Sequence, residues 1–453
     1  MDDETSLLLP PRKRSSIHLG PLPKDRYWLV YFIFYTLGIA ALLPWNFFTN
    51  AKQYFVYKLR NTTIPQNGSA IQGTAATSGQ TELQATFENY LAIAAMVPNV
   101  VFMFLNTAAT KMIPLKVRML LAGILMILMF TFTVVLVEVN TDSWQMEFFG
   151  ITLGTVVIVN AASAILQGGI FGLSGMFPQK YTQAVMGGMG AGGTFAALAE
   201  IVSIAGGNDV VKSAFGYFIA AAVIIFIALI AYLTLPFLAY AHYHTETHKE
   251  LLNAVHSLNA DSTSVTVKQP KGSTVSTLIL VFKKIWMLAL SVFLVFFVTL
   301  SCFPGVNSNI ASMQQGSSPF TGKYFVPVTC FLLFNVGDLI GRTLAGFGQW
   351  PSHNSPLLPL LCVLRAGFIP LFLHCNVQPR SHLPVVFDHD FYPILFMAIF
   401  AISNGYLGTV TMMYGPTKVN DEDVETAGAM MSFFLACGLG CGAGFSLLLV
   451  KIT

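Results

Sequence analysis

The feature that most constrains this chain is a succession of eleven apolar runs, each long enough to cross a bilayer. A hydrocarbon core about 30 Å thick is crossed by a helix of about 20 apolar residues. The runs fall at 28–50, 87–110, 119–138, 147–176, 183–206, 214–240, 278–302, 324–347, 356–375, 391–414 and 426–450. Inside lipid every backbone N–H and C=O needs a partner within the protein, so only helices and closed barrels cross. The alternation of a barrel strand is absent, which predicts an all-α membrane protein. Composition agrees: 54% of the 453 residues are hydrophobic and 10% charged, against about 25% charged in soluble chains.

Basic residues in short loops set the orientation. Residues 1–27 carry Arg12, Lys13, Arg14, Lys24 and Arg26, and read as a cytosolic tail with no cleavable leader. Lys111, Lys116 and Arg118 join the second and third runs, and Lys249, Lys268 and Lys271 lie in the polar linker 241–277. The loop 138–147 carries Glu138, Asp142 and Glu147 and no Lys or Arg, which places it outside. Both glycosylation sequons, at Asn61 and Asn67, fall in the 51–86 loop, which places that loop outside or in a lumen. With an odd number of spans, the C-terminus then lies opposite the N-terminus. The linker is Ser/Thr-rich and divides the chain into a six-span unit (28–240) and a five-span unit (278–453).

The two units echo each other. Val97-Pro98-x-x-x-Phe102-x-x-x-Asn106 recurs as Val326-Pro327-x-x-x-Phe331-x-x-x-Asn335. Phe177-Pro178-x-Lys180 closes the fourth run and Gly415-Pro416-x-Lys418 the tenth, while Pro44 and Pro304 interrupt the first and seventh. A parallel repeat of this kind predicts a 6+5 fold resembling major-facilitator transporters.

Ionisable groups deep in a span cost about 2.5–3.5 kcal/mol or more and mark cavities or partners. The expected ones are Asp338 and Arg342 in the eighth run and Glu200 in the fifth. Phe331, Asn335, Asp338 and Arg342 share one helical face. They form either an internal ion pair that locks the helix or a clamp for vicinal hydroxyls, since carboxylates accept and guanidiniums donate. Leu42, Trp45, Asn46 and Thr49 share a face beside Pro44, as part of a site or of an interfacial aromatic belt. Asn160, Ser163 and Gln167 line one stretch of the fourth run. The Gln167 amide offers a coplanar donor and acceptor suited to a base edge; an interhelical hydrogen bond is the alternative. The glycine stripes 186–193 and 438–444 read as packing surfaces. Asp421, Glu422, Asp423 and Glu425 could serve the helix dipole, or Glu425 could pair with Arg118 as a gate.

Several chemistries are excluded. No phosphate-loop spacing exists, the cysteines lack CxxC spacing, and no basic cluster interleaved with aromatics points to nucleic acid. No metal or cofactor is expected. A bridge between Cys302 and Cys375, both near helix ends, is conceivable. No histidine falls near Gln167 or Asp338, which disfavours an embedded enzyme.

Five motifs together resemble those of equilibrative nucleoside transporters: Leu43-Pro-Trp-Asn-Phe-Phe48, Gln167-Gly168, Phe334-Asn335-x-x-Asp338-x-x-Gly341-Arg342, Ser403-Asn404-Gly405-Tyr406-Leu407 and Glu425-Thr-Ala-Gly428. The likeness runs from about residue 26 to the C-terminus. It implies facilitative transport of nucleosides, with Gln167 on the nucleobase and Asp338 and Arg342 on the ribose. Leu42, Trp45, Met96 and Leu439 would line base and sugar. Phe303, Pro304, Phe331, Asn335 and Thr49 would flank an outer gate, and Arg118 and Glu425 would close the inner side. Asn99 stands where the family leads one to expect an apolar residue, and Ser163 and Thr49 also depart from some members. The tail Asp3-Glu-Thr-Ser-Leu7-Leu8-Leu9 resembles an acidic dileucine signal for a sorting adaptor, as in the lysosomal branch. A plasma-membrane and an endolysosomal location both remain open. In the second case Glu200 would be a pH sensor for proton-linked export.

Overall fold

The computed structural model describes residues 23–60, 81–205, 210–245, 274–380 and 382–452. Leu7, Leu8, Asn61, Asn67 and most of the 241–277 linker lie outside these, as does the side chain of Thr49. The described chain is helical apart from one isolated bridge, Ile310 with Val377.

Ten helical stretches are long and apolar enough to cross a membrane, and a shorter one covers Leu357–Leu373. In chain order the α-helices are α1 Leu29–Asn50, α2 Lys52–Lys58, α3 Glu82–Ala108, α4 Leu115–Glu138, α5 Gln145–Gly175, α6 Gln179–Ala205 and α7 Val210–Thr234. They continue as α8 Thr274–Cys302, α9 Leu333–Phe347, α10 Leu357–Leu364, α11 Phe368–Leu373, α12 Phe391–Tyr414 and α13 Val424–Ile452. A π-helical turn, Pro327–Leu332, leads into α9. The eleven expected runs are therefore all helical. The ninth is composite: α10 and α11 meet at a 3-10 turn, Arg365–Gly367.

Large apolar side chains such as Phe32, Leu121, Leu128, Phe226, Ile230 and Leu344 point outward, whereas Gln167, Asp338, Arg342 and Asn404 are buried. Polar groups inside and apolar groups outside are what a lipid solvent demands.

The helix contacts follow the repeat. α1 packs on α6 as α8 packs on α13, and α3 packs on α5 as α9 packs on α12. Between the halves, α3–α13 mirrors α6–α9, and α5–α13 mirrors α6–α12. Small residues make the closest of these contacts. A Cβ on Gly188 would collide with the Tyr35 backbone carbonyl of α1, and one on Gly438 with the Phe293 carbonyl of α8. The two glycine stripes thus serve the same pairing in each half.

Two expectations need correction. Pro304 does not interrupt the seventh helix; α8 ends at Cys302 and the chain turns there. The six cysteines are all unpaired, so Cys302 and Cys375 form no bridge; both are buried as small apolar side chains. A 3-10 turn, Asp421–Asp423, precedes α13, and Glu425 falls in the first turn of α13. The Asp423 and Glu425 carboxylates also pair across the two halves, as described next.

Candidate substrate site

A cavity of about 1430 Å³, counting its mouth, opens between the two halves of the repeat. It is not sealed, and its walls mix apolar and polar groups, the usual make-up of a small-molecule site. The residues expected to hold a ligand converge on it. Leu42 and Trp45 come from α1, Met96 from α3, Gln167 from α5 and Leu439 from α13. Phe331 comes from the π-turn, and Asn335, Asp338 and Arg342 come from α9. Phe303 and Pro304, after α8, line it too. Asn46, Asn99, Ser163 and Glu200 face the same space.

Asp338 and Arg342 are each 4% exposed, one turn apart, with Arg342 Nε donating to Asp338 Oδ2 at 2.6 Å. Arg342 Nη1 donates to the Met186 carbonyl at 3.0 Å, which ties α9 to α6. Asn404 Nδ2 donates to the other Asp338 oxygen at 2.7 Å. Each carboxylate oxygen has capacity for a further donor. The pair is therefore an internal ion pair and also part of the cavity wall.

Close backbone approach sets this geometry. A Cβ on Gly405 would run into the Asp338 carbonyl, so only glycine lets α12 come near enough for Asn404 to reach Asp338. Asn335 donates to the Phe331 carbonyl across the π-turn at 2.9 Å, which leaves its carbonyl oxygen for other partners.

Across the cavity, the Gln167 side chain is buried and its amide forms no hydrogen bond among the described residues. Both functions of the amide stay available to a ligand. Of its neighbours, Ser163 makes an interhelical bond, donating to Ala41 of α1 at 3.2 Å, whereas Asn160 Nδ2 donates to Val156 within α5.

A family model described as nucleoside transporter matches residues 153–451. Equilibrative nucleoside transporter 1 of Homo sapiens is 41% identical over 457 residues, covering 95% of this chain and 99% of that protein. The chain belongs to the equilibrative nucleoside transporter family. Equilibrative nucleoside transporter 3 of Rattus norvegicus is 39% identical, with 94% of this chain and 90% of that protein covered. Among solved structures, the proton:xylose symporter XylE aligns with a TM-score of 0.62 at 12% identity, over 93% of this chain and 88% of that one. The human organic anion transporter MFSD10 aligns with a TM-score of 0.54 at 13% identity, over 95% of each chain. At such identities the likeness concerns the fold, which is that of the major facilitator superfamily.

In this member of the equilibrative nucleoside transporter family one end of the cavity is closed by polar contacts between the halves. Arg118 pairs with Glu425, donates to Asn106 Oδ1 at 2.6 Å and to the Ile113 carbonyl at 3.1 Å. Lys111 pairs with Asp423 at 3.3 Å, and the Thr110 and Thr426 hydroxyls meet at 3.0 Å. The other end is lined by aromatic rings: Phe303 stacks on Phe334 with centroids 3.9 Å apart and meets Phe331 edge-on at 5.6 Å.

One charge escaped the sequence analysis. Arg365 lies inside the 356–375 run, 3% exposed, and adds a fourth intramembrane ionisable group to Asp338, Arg342 and Glu200. Its position in an apolar run was the available signal. Asn404 figured only as a motif residue, and its bond to Asp338 could not be read from spacing, because the two lie on different helices.

Proposed function

We propose that this membrane protein carries nucleosides passively, in both directions, by alternating access around the central cavity. Supporting this is one observation above the rest: the unengaged Gln167 amide faces the same cavity as the Asp338–Arg342 pair. A base edge and a vicinal diol need that combination, a coplanar donor and acceptor on one side and a carboxylate with a guanidinium on the other. Family membership supports it independently, since the curated relatives are named as equilibrative nucleoside transporters. These are transporters rather than enzymes.

In this reading the units 28–240 and 278–453 rock against each other, as in two-halved carriers. The Arg118–Glu425 end is the inner gate, and the Phe303 end is the outer gate, where Pro304, Phe331, Asn335 and Thr49 take part. The N-terminus is cytosolic and the C-terminus extracellular or luminal. Asn61 and Asn67 would carry glycans, and Leu7 and Leu8 would engage a sorting adaptor.

In proteoliposomes, uridine uptake is expected to saturate and to need neither ATP nor a sodium gradient. Linear, non-saturable uptake would refute the carrier reading. A second reading, proton-linked export from an acidic lumen, is favoured by one specific feature: Glu200 lines the cavity itself. Uptake at pH 5.5 and 7.4 separates the two. If Glu200 senses protons, Glu200→Gln abolishes the difference between those pH values. If the difference persists in the variant, the coupling role is rejected.

A further inference from the structure

Arg365 is a guanidinium fully inside the membrane-spanning part of the fold without a direct anion. Among the described residues its acceptors are neutral. Nη1 donates to the Phe400 carbonyl at 2.9 Å and to the Ser403 hydroxyl, and Nη2 donates to Thr299 Oγ1 at 2.9 Å. The guanidinium also sits over the Phe400 ring at 4.7 Å. A buried charge left uncompensated is strongly unfavourable, so the question is where its compensation lies.

The hydrogen-bond chain answers it. A carboxylate only accepts, so Asn404 must turn its NH2 toward Asp338, where Nδ2 to Oδ1 is 2.7 Å. The Asn404 carbonyl oxygen then faces Thr299 Oγ1 at 2.7 Å and requires a donor. Thr299 Oγ1 accepts a hydrogen bond from Arg365, and its one proton has two acceptors at 2.7 Å, the Val295 carbonyl of its own helix and Asn404 Oδ1; the helical carbonyl already accepts a backbone N–H, so the proton is assigned to the Asn404 oxygen. Every link therefore points the same way: Arg365 to Thr299, Thr299 to Asn404, Asn404 to Asp338. Chains of aligned hydrogen bonds polarise and strengthen one another in a low-dielectric interior. Asp338 is held from both sides, by Arg342 directly and by Arg365 through two neutral relays.

We propose that Arg365 is a positioning residue for the substrate site. Acting through Thr299 and Asn404, it fixes the orientation of the Asp338 carboxylate that meets the ribose hydroxyls. This inference rests on the nucleoside reading given above. Arg365 itself is outside the set of residues that line the cavity, whereas Thr299 and Asn404 are within it.

The test compares uridine with 2′,3′-dideoxyuridine in proteoliposomes containing wild type, Arg365→Gln, Arg365→Lys, Thr299→Val and the Gln/Val double variant. Losing one hydrogen bond to a charged group corresponds to about a tenfold loss of affinity. The uridine KM is expected to rise by that factor in Arg365→Gln and Thr299→Val, with smaller change in maximal rate. Arg365→Lys should recover part of the loss. The double variant should be no worse than the poorer single variant, because both substitutions cut one chain. The dideoxy analogue, which lacks the hydroxyls, should be insensitive to all of them. Thr299→Val keeps the side-chain shape, so it decides the matter even if Arg365→Gln fails to insert. A uridine KM within twofold of wild type in Thr299→Val, or equal weakening of both nucleosides, would overturn the positioning role. Wild-type protein without saturable uridine uptake would instead remove the nucleoside reading on which it stands.

Discussion

Replacing Asp338 with Asn is expected to lower uridine uptake at least about 100-fold while the protein still reaches the membrane, a loss equivalent to about 3 kcal/mol of ligand interaction. Asn matches Asp in volume, so packing between α9 and α12 is retained. What disappears is the anion. Arg342 Nε then faces an amide in place of the carboxylate at 2.6 Å, and Asn404 Nδ2 faces an amide whose donor and acceptor cannot satisfy both neighbours. A hydrogen bond to a charged group contributes about 1.5–3 kcal/mol, and the proposed mode of binding places at least two ribose contacts on this pair. Breaking a buried pair by removing one partner carries a further penalty of about 3–5 kcal/mol. Arg342→Gln should match the effect from the other side. Surface labelling establishes delivery, and uptake establishes the loss. Near-normal uptake in both variants would show that the pair is structural only.

The second large effect concerns the closed end. Arg118 is 5% exposed and its carboxylate partner Glu425 is 19% exposed at the side chain. Glu425→Gln leaves Arg118 with Asn106 and the Ile113 carbonyl alone. Removal of one partner from a buried pair costs about 3–5 kcal/mol, and the partial exposure of Glu425 brings the expected penalty to about 2 kcal/mol after screening. That shifts the balance between closed and open states by about 30-fold. In the neighbouring Lys111–Asp423 pair the lysine is 37% exposed, so screening leaves that pair a smaller contribution. A cysteine placed at Thr110, which meets Thr426 across the same seam, should react faster with an impermeant thiol reagent applied from the inner face when Glu425 is Gln. Unchanged reactivity would show that the pair does not hold the gate.

Much of this architecture is legible in the amino-acid sequence because lipid imposes a simple code. Runs of about 20 apolar residues must be helices, and the echo of Val97-Pro98 in Val326-Pro327 exposes the repeat. The eighth span was equally readable, since Asp338 and Arg342 are conspicuous in an apolar setting and sit one turn apart. The ninth was harder. Its helix is broken at Arg365–Gly367, and Arg365 is a single cation with no carboxylate nearby in sequence. Its connection to Asp338 runs through Thr299 on α8 and Asn404 on α12. Links of that sort depend on which helices touch, and periodicity within one helix carries no trace of them. The Lys111–Asp423 pair went unread for the same reason, since its partners lie over 300 residues apart, whereas the Arg118–Glu425 pair was among the alternatives the sequence offered.

Counterflow tests the central claim most directly. Proteoliposomes preloaded with unlabelled uridine and diluted into a trace of labelled uridine should accumulate label transiently above its equilibrium level. A single site exposed alternately to each face produces that overshoot, and Asp338→Asn should lack it. Label that rises smoothly to equilibrium in the wild type, without overshoot, would contradict alternating access and point to a continuous pore.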